Sequence, residues 1–290
     1  MFTSNDLLSV GIWLIRSPNA KAPVEDILLG SLYSFMMKPL VPLVGVCTYI
    51  ASVKIWEQRN LRLARSSGKA NINGKIASPN SGINLKPFII AHNLVLAAYS
   101  IWTFVSYFPA VIRAVSDHGL KDGFCDSSRA LWDGALLEHG FIFYLSKYYE
   151  FIDTAIILAK GRPAGRLQTF HHAGAVSIMW LGNYIQSPYL SFFVFENSLI
   201  HGLMYTYYTL TAMGIKPPGK KMLTGLQITQ FYIALSAGII YAVLPACQNN
   251  AQRLFTYLFI GYIVELIRLF TEFARKTYGK LPAATIKKQH

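Results

Sequence analysis

The chain has 290 residues, of which 53% are hydrophobic and only 14% are charged. A soluble domain has about 25% charged residues, so the composition excludes an ordinary soluble protein, and it lacks the bias of disordered, collagen-like or disulfide-scaffold chains. The net charge of +13 comes from 27 Lys and Arg against 14 Asp and Glu. These basic residues are spread between long apolar runs, unlike the basic face of a DNA-binding protein. The composition therefore predicts an all-α polytopic membrane protein.

Seven stretches approach the roughly 20 apolar residues that a membrane-spanning helix needs. In chain order they are residues 31–52, 88–112, 139–159, 168–186, 190–213, 226–245 and 254–273. The third and fourth stretches are the least hydrophobic and contain the most unusual polar residues. We predict a single integral-membrane domain over residues 1–290, with an N-terminal segment (1–30), a flexible loop (53–87) and a C-terminal tail (274–290).

The distribution of Lys and Arg predicts the orientation, because cytosolic loops keep an excess of basic residues. Most of them lie in the 53–87 loop, in the loops after the third and fifth stretches, and in the tail. We therefore expect a lumenal N terminus and a cytosolic C terminus. The chain ends in KKQH, which matches a dilysine retrieval signal, an address read by a receptor. This favours the endoplasmic reticulum membrane.

Three cysteines divide between the predicted compartments. Cys47 lies in the first stretch, whereas Cys125 and Cys247 lie in two predicted lumenal loops. Because an oxidising lumen favours pairing, we predict a Cys125–Cys247 disulfide, with two unpaired thiols as the alternative.

The third stretch contains charged residues, which are costly at membrane depth and are functional candidates by default. Its sequence KYYEFIDT places Lys147, Glu150 and Asp153 at three-residue steps on one helix face. Lys147 can neutralise Glu150 at this spacing. For these three residues alone, a structural ion-pair ladder and a functional role remain equally open.

The next three stretches add histidines and uncharged polar residues. They are Gln168, His171 and His172 in LQTFHHAG; Asn197, His201, Tyr205 and Tyr208 in NSLIHGLMYTYY; and Thr224, Gln227 and Gln230 in TGLQITQF. A lone buried histidine is usually a satisfied core residue. So many polar residues on four stretches must instead face a shared interior rather than lipid. We predict a shared reactive chamber.

Metal chemistry is the first alternative for this chamber. A membrane desaturase or hydroxylase needs several histidine boxes, whereas this chain has seven histidines and one HH pair. His171, His172 and His201 could form a three-histidine zinc set, but adjacent helix residues diverge by about 100°. We predict no metal site and keep a His-box metalloenzyme as the alternative.

Acyl transfer fits the residues better. No cysteine lies near the polar cluster, so imidazole is the remaining strong nucleophile, and it can form an activated acyl-imidazole. Basic residues beside the cluster offer a mouth for the phosphates of a CoA ester. They are Lys160, Arg162, Arg166, Lys216, Lys220 and Lys221.

Four motifs occur in order: KxxExxDT (147–154), QxxHH (168–172), NxxxHxxMYxYY (197–208) and TxxQxxQ (224–230). In these motifs the chain resembles the ELO family of very-long-chain fatty acid elongases, the condensing 3-ketoacyl-CoA synthases of the endoplasmic reticulum. The resemblance implies seven transmembrane helices, six of which ring a narrow acyl tunnel that is closed on the lumenal side. It implies condensation of acyl-CoA with malonyl-CoA to 3-ketoacyl-CoA, CO2 and CoA, without a metal or redox cofactor.

Gln168 departs from the common His-x-x-His-His box and resembles a subset that includes polyunsaturated-type elongases. Glutamine cannot change charge, so we expect it to hold a neighbour by hydrogen bonds. We predict His171 as acyl acceptor, His201 as partner base or enolate stabiliser fixed by Asn197, and His172 as the residue that orients the site. The other predicted substrate-binding residues are Lys147, Glu150, Asp153, Gln168, Tyr205, Tyr208, Thr224, Gln227, Gln230, Arg162, Arg166, Lys220 and Lys221.

The expected partners are the lipid bilayer, acyl-CoA and malonyl-CoA, and the ketoacyl reductase and dehydratase of the elongation cycle. A homo-oligomer is compatible with the sequence, and no nucleic acid is expected. The non-enzymatic alternative is a seven-helix transporter or receptor. Transporters often carry inverted repeats or helices broken at matching positions, and the sequence has neither.

Overall fold

The computed structural model describes residues 27–66, 84–244 and 247–279, and these residues form helices without any β-strand. The eight main helices are α1 (Leu40–Ser66), α2 (Lys86–Cys125), α3 (Leu137–Tyr149), α4 (Phe151–Ala159), α5 (Gly165–Tyr184), α6 (Leu190–Met213), α7 (Lys220–Val243) and α8 (Asn250–Tyr278). Short helical turns at Gly30–Leu32 and Tyr33–Met36 precede α1, and a π-helical turn at Trp132–Leu136 precedes α3. The all-α fold class is confirmed.

Four helices, α1, α2, α7 and α8, are long and apolar enough to cross a membrane. Between them, α3 and α4 have only 13 and 9 residues and are too short to cross alone, whereas α5 and α6 are long enough but carry many of the predicted polar residues. The chain is therefore a multi-pass membrane protein.

The first helix differs from its predicted bounds. It begins at Leu40 and continues to Ser66, so the prediction of a loop over 53–87 is wrong for residues 53–66. The polar end of α1 is held by neighbours, because Asn60 Nδ2 donates to the Leu158 carbonyl at 2.8 Å and Glu57 Oε1 accepts from the Ala164 N–H at 2.8 Å.

Helix α8 continues through residue 278 and so extends into the predicted tail. Its last turn carries Arg275 and Lys276, cations that a helix C terminus favours. The N-terminal segment 1–26, the rest of the predicted loop (67–83) and the tail with its KKQH ending (280–290) lie outside the described residues.

The third predicted stretch forms two helices that meet at Glu150. The Glu150 N–H donates to the Ser146 carbonyl at 2.9 Å, and the Asp153 N–H donates to the Glu150 carbonyl at 3.0 Å. The second bond spans three residues rather than four, which tightens the turn as in a 3₁₀ helix. Glu150 therefore sits at the junction between α3 and α4.

Pairwise helix packing closes a ring. Helix α2 packs on α6, α6 on α7, α7 on α8, α8 on α5, and α5 on α3 and α4. The ring closes where His92 on α2 contacts Asp153 on α4 at 2.9 Å. Helix α1 packs on α4 and α5.

One end of the ring is cross-linked and filled with aromatic residues. Cys125 at the end of α2 forms a disulfide with Cys247 before α8, with Cα atoms 4.5 Å apart, and Cys47 is an unpaired, exposed thiol. The buried aromatic residues near this end are Trp132, Tyr184, Tyr189, Phe193, Tyr241, Phe255 and Phe259. The polar cluster lies toward the opposite end.

Asp126 organises the turn beside the disulfide. Its carboxylate accepts the backbone N–H groups of Leu131 and Trp132, both at 2.8 Å. Burial raises the pKa of this carboxyl above its ordinary value, although the two N–H donors oppose the shift.

Candidate active site

The centre of the chamber is a buried ion pair shared by two helices. Lys147 on α3 donates to Glu150 Oε1 at 2.7 Å and to Asn197 Oδ1 on α6 at 3.3 Å. Lys147 and Glu150 are each only 2% exposed. The predicted neutralisation of Glu150 by Lys147 is confirmed, and the pair reaches across to a second helix.

His201 lies one turn after Asn197 on α6 and is buried. Its Nδ1 atom is 3.7 Å from Glu150 Oε1, which is longer than a hydrogen bond. Asn197 binds Lys147, so the structure gives it a different partner from the predicted His201. Helix α5, which carries His171 and His172, packs on both α3 and α6, so the three helices meet at this site.

Three polar atoms of the chamber are buried without a hydrogen-bond partner among the described residues. They are Glu150 Oε2, Asn197 Nδ2 and Gln230 Oε1. Buried polar groups are normally paired, and exceptions often mark functional sites. The chamber therefore offers one donor and two acceptors to a bound molecule.

Asp153 forms a second polar cluster at the α2, α4 and α6 contact. Its Oδ1 atom is 2.9 Å from His92 Nε2, and its Oδ2 atom accepts the Tyr205 hydroxyl at 2.7 Å. Tyr205 is buried, whereas Tyr208 is 42% exposed. Of the two predicted tyrosines, Tyr205 therefore belongs to this cluster and Tyr208 lies at the surface.

Gln168 belongs to a third cluster. Its Nε2 atom is 2.7 Å from His172 Nε2 and donates to Thr154 Oγ1 at 3.3 Å. Thr154 Oγ1 in turn lies 2.9 Å from the Tyr49 hydroxyl on α1. The expectation that Gln168 holds a neighbour by hydrogen bonds is confirmed, and that neighbour is His172.

His171 faces away from this cluster. Its ring centroid is 5.3 Å from that of His172, with the ring planes 68° apart, and successive helix positions point about 100° apart. Tyr262 on α8 donates to the His171 carbonyl at 2.9 Å and lies 3.3 Å from Nδ1.

The residues predicted on α7 are spread along the helix. Thr224 lies 3.2 Å from the Tyr278 hydroxyl, and Gln227 donates to the Met204 sulfur at 3.2 Å. Gln230 is buried. Thr224 and Gln227 therefore join α7 to α8 and α6, and Gln230 is the α7 residue with a buried unpartnered oxygen.

The predicted basic mouth lies where α4 leads into α5 and α6 into α7. Its exposed cations are Lys160, Arg162, Arg166, Lys216, Lys220 and Lys221. Arg166 makes a 3.0 Å ion pair with Glu265, so part of its charge is already compensated. Partial burial, and then the nearby charge of Arg162, lower the pKa of Lys160 from its ordinary value.

Three contributing residues, His92, Tyr49 and Tyr262, were not predicted. Each is an isolated polar residue in an apolar helix, and only the contacts across helices reveal its role. In the described ranges 27–66, 84–244 and 247–279, no three His, Cys, Asp or Glu side chains are arranged to hold a metal ion.

Comparisons with known proteins show the family to which the chain belongs. A model of the ELO: GNS1/SUR4 family matches residues 34–286. The chain is 30% identical over 208 residues to very long chain fatty acid elongase 3 of Homo sapiens, covering 68% of this chain and 74% of that protein. It is 30% identical over 223 residues to very long chain fatty acid elongase 5 of Rattus norvegicus, covering 71% of each. It is 36% identical over 159 residues to fatty acid elongase sre1 of Dictyostelium discoideum, covering 54% of this chain and 59% of that protein.

Proposed function

This chain belongs to the ELO family, and from that membership we propose how its buried chamber performs the condensing step of fatty acid elongation. The protein acts as a very-long-chain 3-oxoacyl-CoA synthase on acyl-CoA substrates. Two observations carry the proposed route: His201 Nδ1 lies 3.7 Å from Glu150 of the buried Lys147–Glu150 pair, and the His171 and His172 rings lie side by side, 5.3 Å apart.

In the first proposed step, His171 Nε2 attacks the thioester carbonyl of acyl-CoA. The carbon–sulfur bond breaks, CoA leaves as a thiolate that takes a proton from solvent, and the acyl group is held on Nε2 as an acyl-imidazolium that keeps its Nδ1 proton. Such an intermediate stays activated toward carbon nucleophiles. His172 is less suited to this role, because Gln168 already occupies its Nε2 atom.

In the second proposed step, malonyl-CoA loses CO2 and the resulting enolate carbon attacks the acyl carbon. The carbon–nitrogen bond to His171 breaks and 3-ketoacyl-CoA forms. The developing enolate oxygen needs a donor, and Asn197 Nδ2 is a buried donor without a partner among the described residues. Because Lys147 donates to Asn197 Oδ1, the amide is oriented with Nδ2 available, as oxyanion stabilisation requires.

His201 is the proposed partner base or second stabiliser of the enolate. Glu150 lies beside its Nδ1 atom, so the carboxylate can stabilise positive charge on this imidazole. Lys147 keeps Glu150 paired in the buried site. In this proposal, His201, Glu150 and Lys147 together place charge beside the reacting carbon.

The substrate enters, in this proposal, from the cytosolic side. The exposed cations at the ends of α4 to α7 suit the CoA phosphates, and the acyl chain extends into the ring toward the aromatic end. We propose seven membrane spans, six of which surround the acyl tunnel. The basic loops place the N terminus in the lumen, and the KKQH ending keeps the protein in the endoplasmic reticulum.

The route consumes only the two CoA esters. Condensation is redox-neutral, and decarboxylation supplies the carbanion, so we propose that no metal or redox cofactor takes part. The 3-ketoacyl product requires a reductase and a dehydratase to complete the cycle, which makes these enzymes the proposed partners. Gln168 supports assignment to the polyunsaturated-type subset.

Purified full-length protein, incubated with carboxyl-labelled and methylene-labelled malonyl-CoA and a panel of acyl-CoAs, tests the proposed function. We expect methylene label in 3-ketoacyl-CoA, carboxyl label in CO2, and no effect of chelators. His171→Gln should abolish product. His139→Gln is the matched control, because His139 is another buried histidine whose ring bonds Ser106 and the Ala135 carbonyl.

Failure of every acyl-CoA to give ketoacyl product, with folded protein, would contradict the condensing activity. Bound iron with oxygen-dependent desaturation would instead support the metalloenzyme alternative.

A further inference from the structure

Tyr262 belongs to none of the four motifs, yet it contacts the proposed acyl acceptor. Its hydroxyl oxygen lies 2.9 Å from the His171 carbonyl oxygen and 3.3 Å from His171 Nδ1. Both contacts cross from α8 to α5. Tyr262 therefore gives His171 a partner from outside the histidine box.

Packing fixes the position of the Tyr262 ring. The side chain is buried, and it packs against Phe170 and Phe259 with ring centroids 5.6 Å and 6.3 Å away. On the α5 side the ring lies over Gly174, where an added Cβ would come within 2.2 Å of Tyr262 Cε2. A glycine at this position is therefore what allows the tyrosine to approach α5.

The two contacts together determine where the protons lie. A backbone carbonyl can only accept, so the single phenol proton is donated to the His171 carbonyl. The phenol oxygen then has lone pairs for Nδ1, and this contact is a hydrogen bond only when Nδ1 carries the proton. A neutral imidazole protonated on Nδ1 has its lone pair on Nε2.

We propose that Tyr262 is a positioning residue that fixes the Nδ1–H tautomer of His171 and so makes Nε2 the atom that accepts the acyl group. This inference rests on the proposed function, in which His171 is the acceptor. It also explains the difference between the paired histidines, because Tyr262 leaves Nε2 of His171 available while Gln168 occupies Nε2 of His172.

The same contact acts during acyl transfer. When Nε2 forms its bond to the acyl carbon, the ring gains positive charge and Nδ1–H becomes a stronger donor. The phenol oxygen accepts that stronger hydrogen bond, which lowers the barrier relative to a ring without it. When the enolate takes the acyl group, the charge disappears and the neutral tautomer is restored.

Tyr262→Phe removes the hydroxyl and keeps the ring. Loss of a hydrogen bond of ordinary strength corresponds to a decrease of about three- to tenfold in the rate of acyl transfer. We expect this decrease in kcat, with the KM for acyl-CoA unchanged. Tyr232→Phe is the matched control, because Tyr232 is 52% exposed on α7, and it should leave the rate unchanged.

The tautomer itself is measured by ¹⁵N NMR on histidine-labelled full-length protein, with the His171 signals assigned from the His171→Gln difference spectrum. We expect a protonated Nδ1 in the native protein and a mixed or Nε2-protonated ring in Tyr262→Phe. A native His171 protonated on Nε2 would overturn the inference, even if the variant does not fold. So would an unchanged kcat in a folded Tyr262→Phe protein.

Failure of the covalent route and failure of the inference about Tyr262 give different results. If the native protein forms ketoacyl product without any acyl adduct on His171, the covalent route is wrong whatever the tautomer. If the adduct forms on His171 at the same rate with and without the Tyr262 hydroxyl, the covalent route stands and the role of Tyr262 is refuted.

Discussion

Replacing Lys147 by methionine tests whether the buried pair at the chamber centre serves chemistry or only joins helices. The substitution keeps a long unbranched side chain over the Phe143 ring, where the Lys147 ammonium now lies 3.8 Å from the centroid. It removes the 2.7 Å bond to Glu150 and the contact with Asn197. The Glu150 carboxylate then stays buried without its lysine partner.

The magnitude follows from the isolation of this carboxylate. Removing one partner of a buried ion pair costs about 3–5 kcal/mol, because the other charge stays buried. Glu150 can escape by taking up a proton, which at pH 7 costs about 3.7 kcal/mol for a carboxyl of ordinary pKa. Glu150 will adopt whichever state costs less, charged and unpaired or protonated. Lys147→Met should therefore lower the free energy of unfolding by about 3 kcal/mol.

A second variant separates stability from catalysis. Lys147→Met combined with Glu150→Gln removes both charges, and we expect its stability to return to within about 1 kcal/mol of wild type. It should remain inactive, because Asn197 and His201 have lost the groups that position them. The assay is apparent melting temperature by tryptophan fluorescence in detergent, together with ketoacyl-CoA formation on the same samples.

The outcomes are distinct. A Lys147→Met protein that melts at the wild-type temperature would refute the reasoning about the buried charge. A double variant that is both stable and active would show that the pair only joins helices, and it would remove both residues from the proposed mechanism.

Three further predictions concern the scaffold. Gly140→Ala should destabilise the protein by about 1–3 kcal/mol at the α3–α5 contact, because the added Cβ would lie 2.8 Å from Asn183 Oδ1. Gly225→Ala is the control and should be neutral or stabilising, because no atom lies within 4 Å of its added Cβ. Equal melting temperatures for the two variants would contradict this prediction. Cys125→Ser should lower the free energy of unfolding by about 2–5 kcal/mol. It should also abolish the gel shift that a reductant causes in the native protein. A native band that reductant does not shift would contradict the disulfide. Burial raises the pKa of Asp126, so its folded form binds a proton more readily than its unfolded form. Lowering the pH from neutral toward 3.8 should therefore stabilise wild type relative to Asp126→Asn, and a melting difference that does not change with pH would refute that sign.

The helical scaffold could be predicted because apolar length is a local property of the sequence. From residue 88 onward, each predicted stretch coincides largely with one helix or, over 139–159, with the pair α3 and α4, whereas the first stretch (31–52) overlaps α1 only from Leu40. The polar end of α1 could not be predicted, because Asn60 and Glu57 are held by groups about a hundred residues away. Hydropathy contains no information about such partners.

The candidate site divides in the same way. Lys147 with Glu150 and Gln168 with His172 are three and four residues apart, so helix geometry alone places them together. The partners of Asn197, Asp153 and His171 lie on other helices, and Asn197 binds Lys147 rather than its neighbour on α6. Tyr262 was missed because an isolated tyrosine in an apolar helix resembles ordinary core packing.

The most direct test of the central claim is incubation of the purified protein with acyl-CoA in the absence of malonyl-CoA, followed by peptide mass spectrometry and measurement of free CoA. The account predicts about one CoA released per active site and an acyl group on the peptide that contains His171. Neither should occur in His171→Gln, and malonyl-CoA should discharge the adduct as 3-ketoacyl-CoA. Release of CoA only when malonyl-CoA is present, with no acylated histidine in an active protein, would contradict the covalent route.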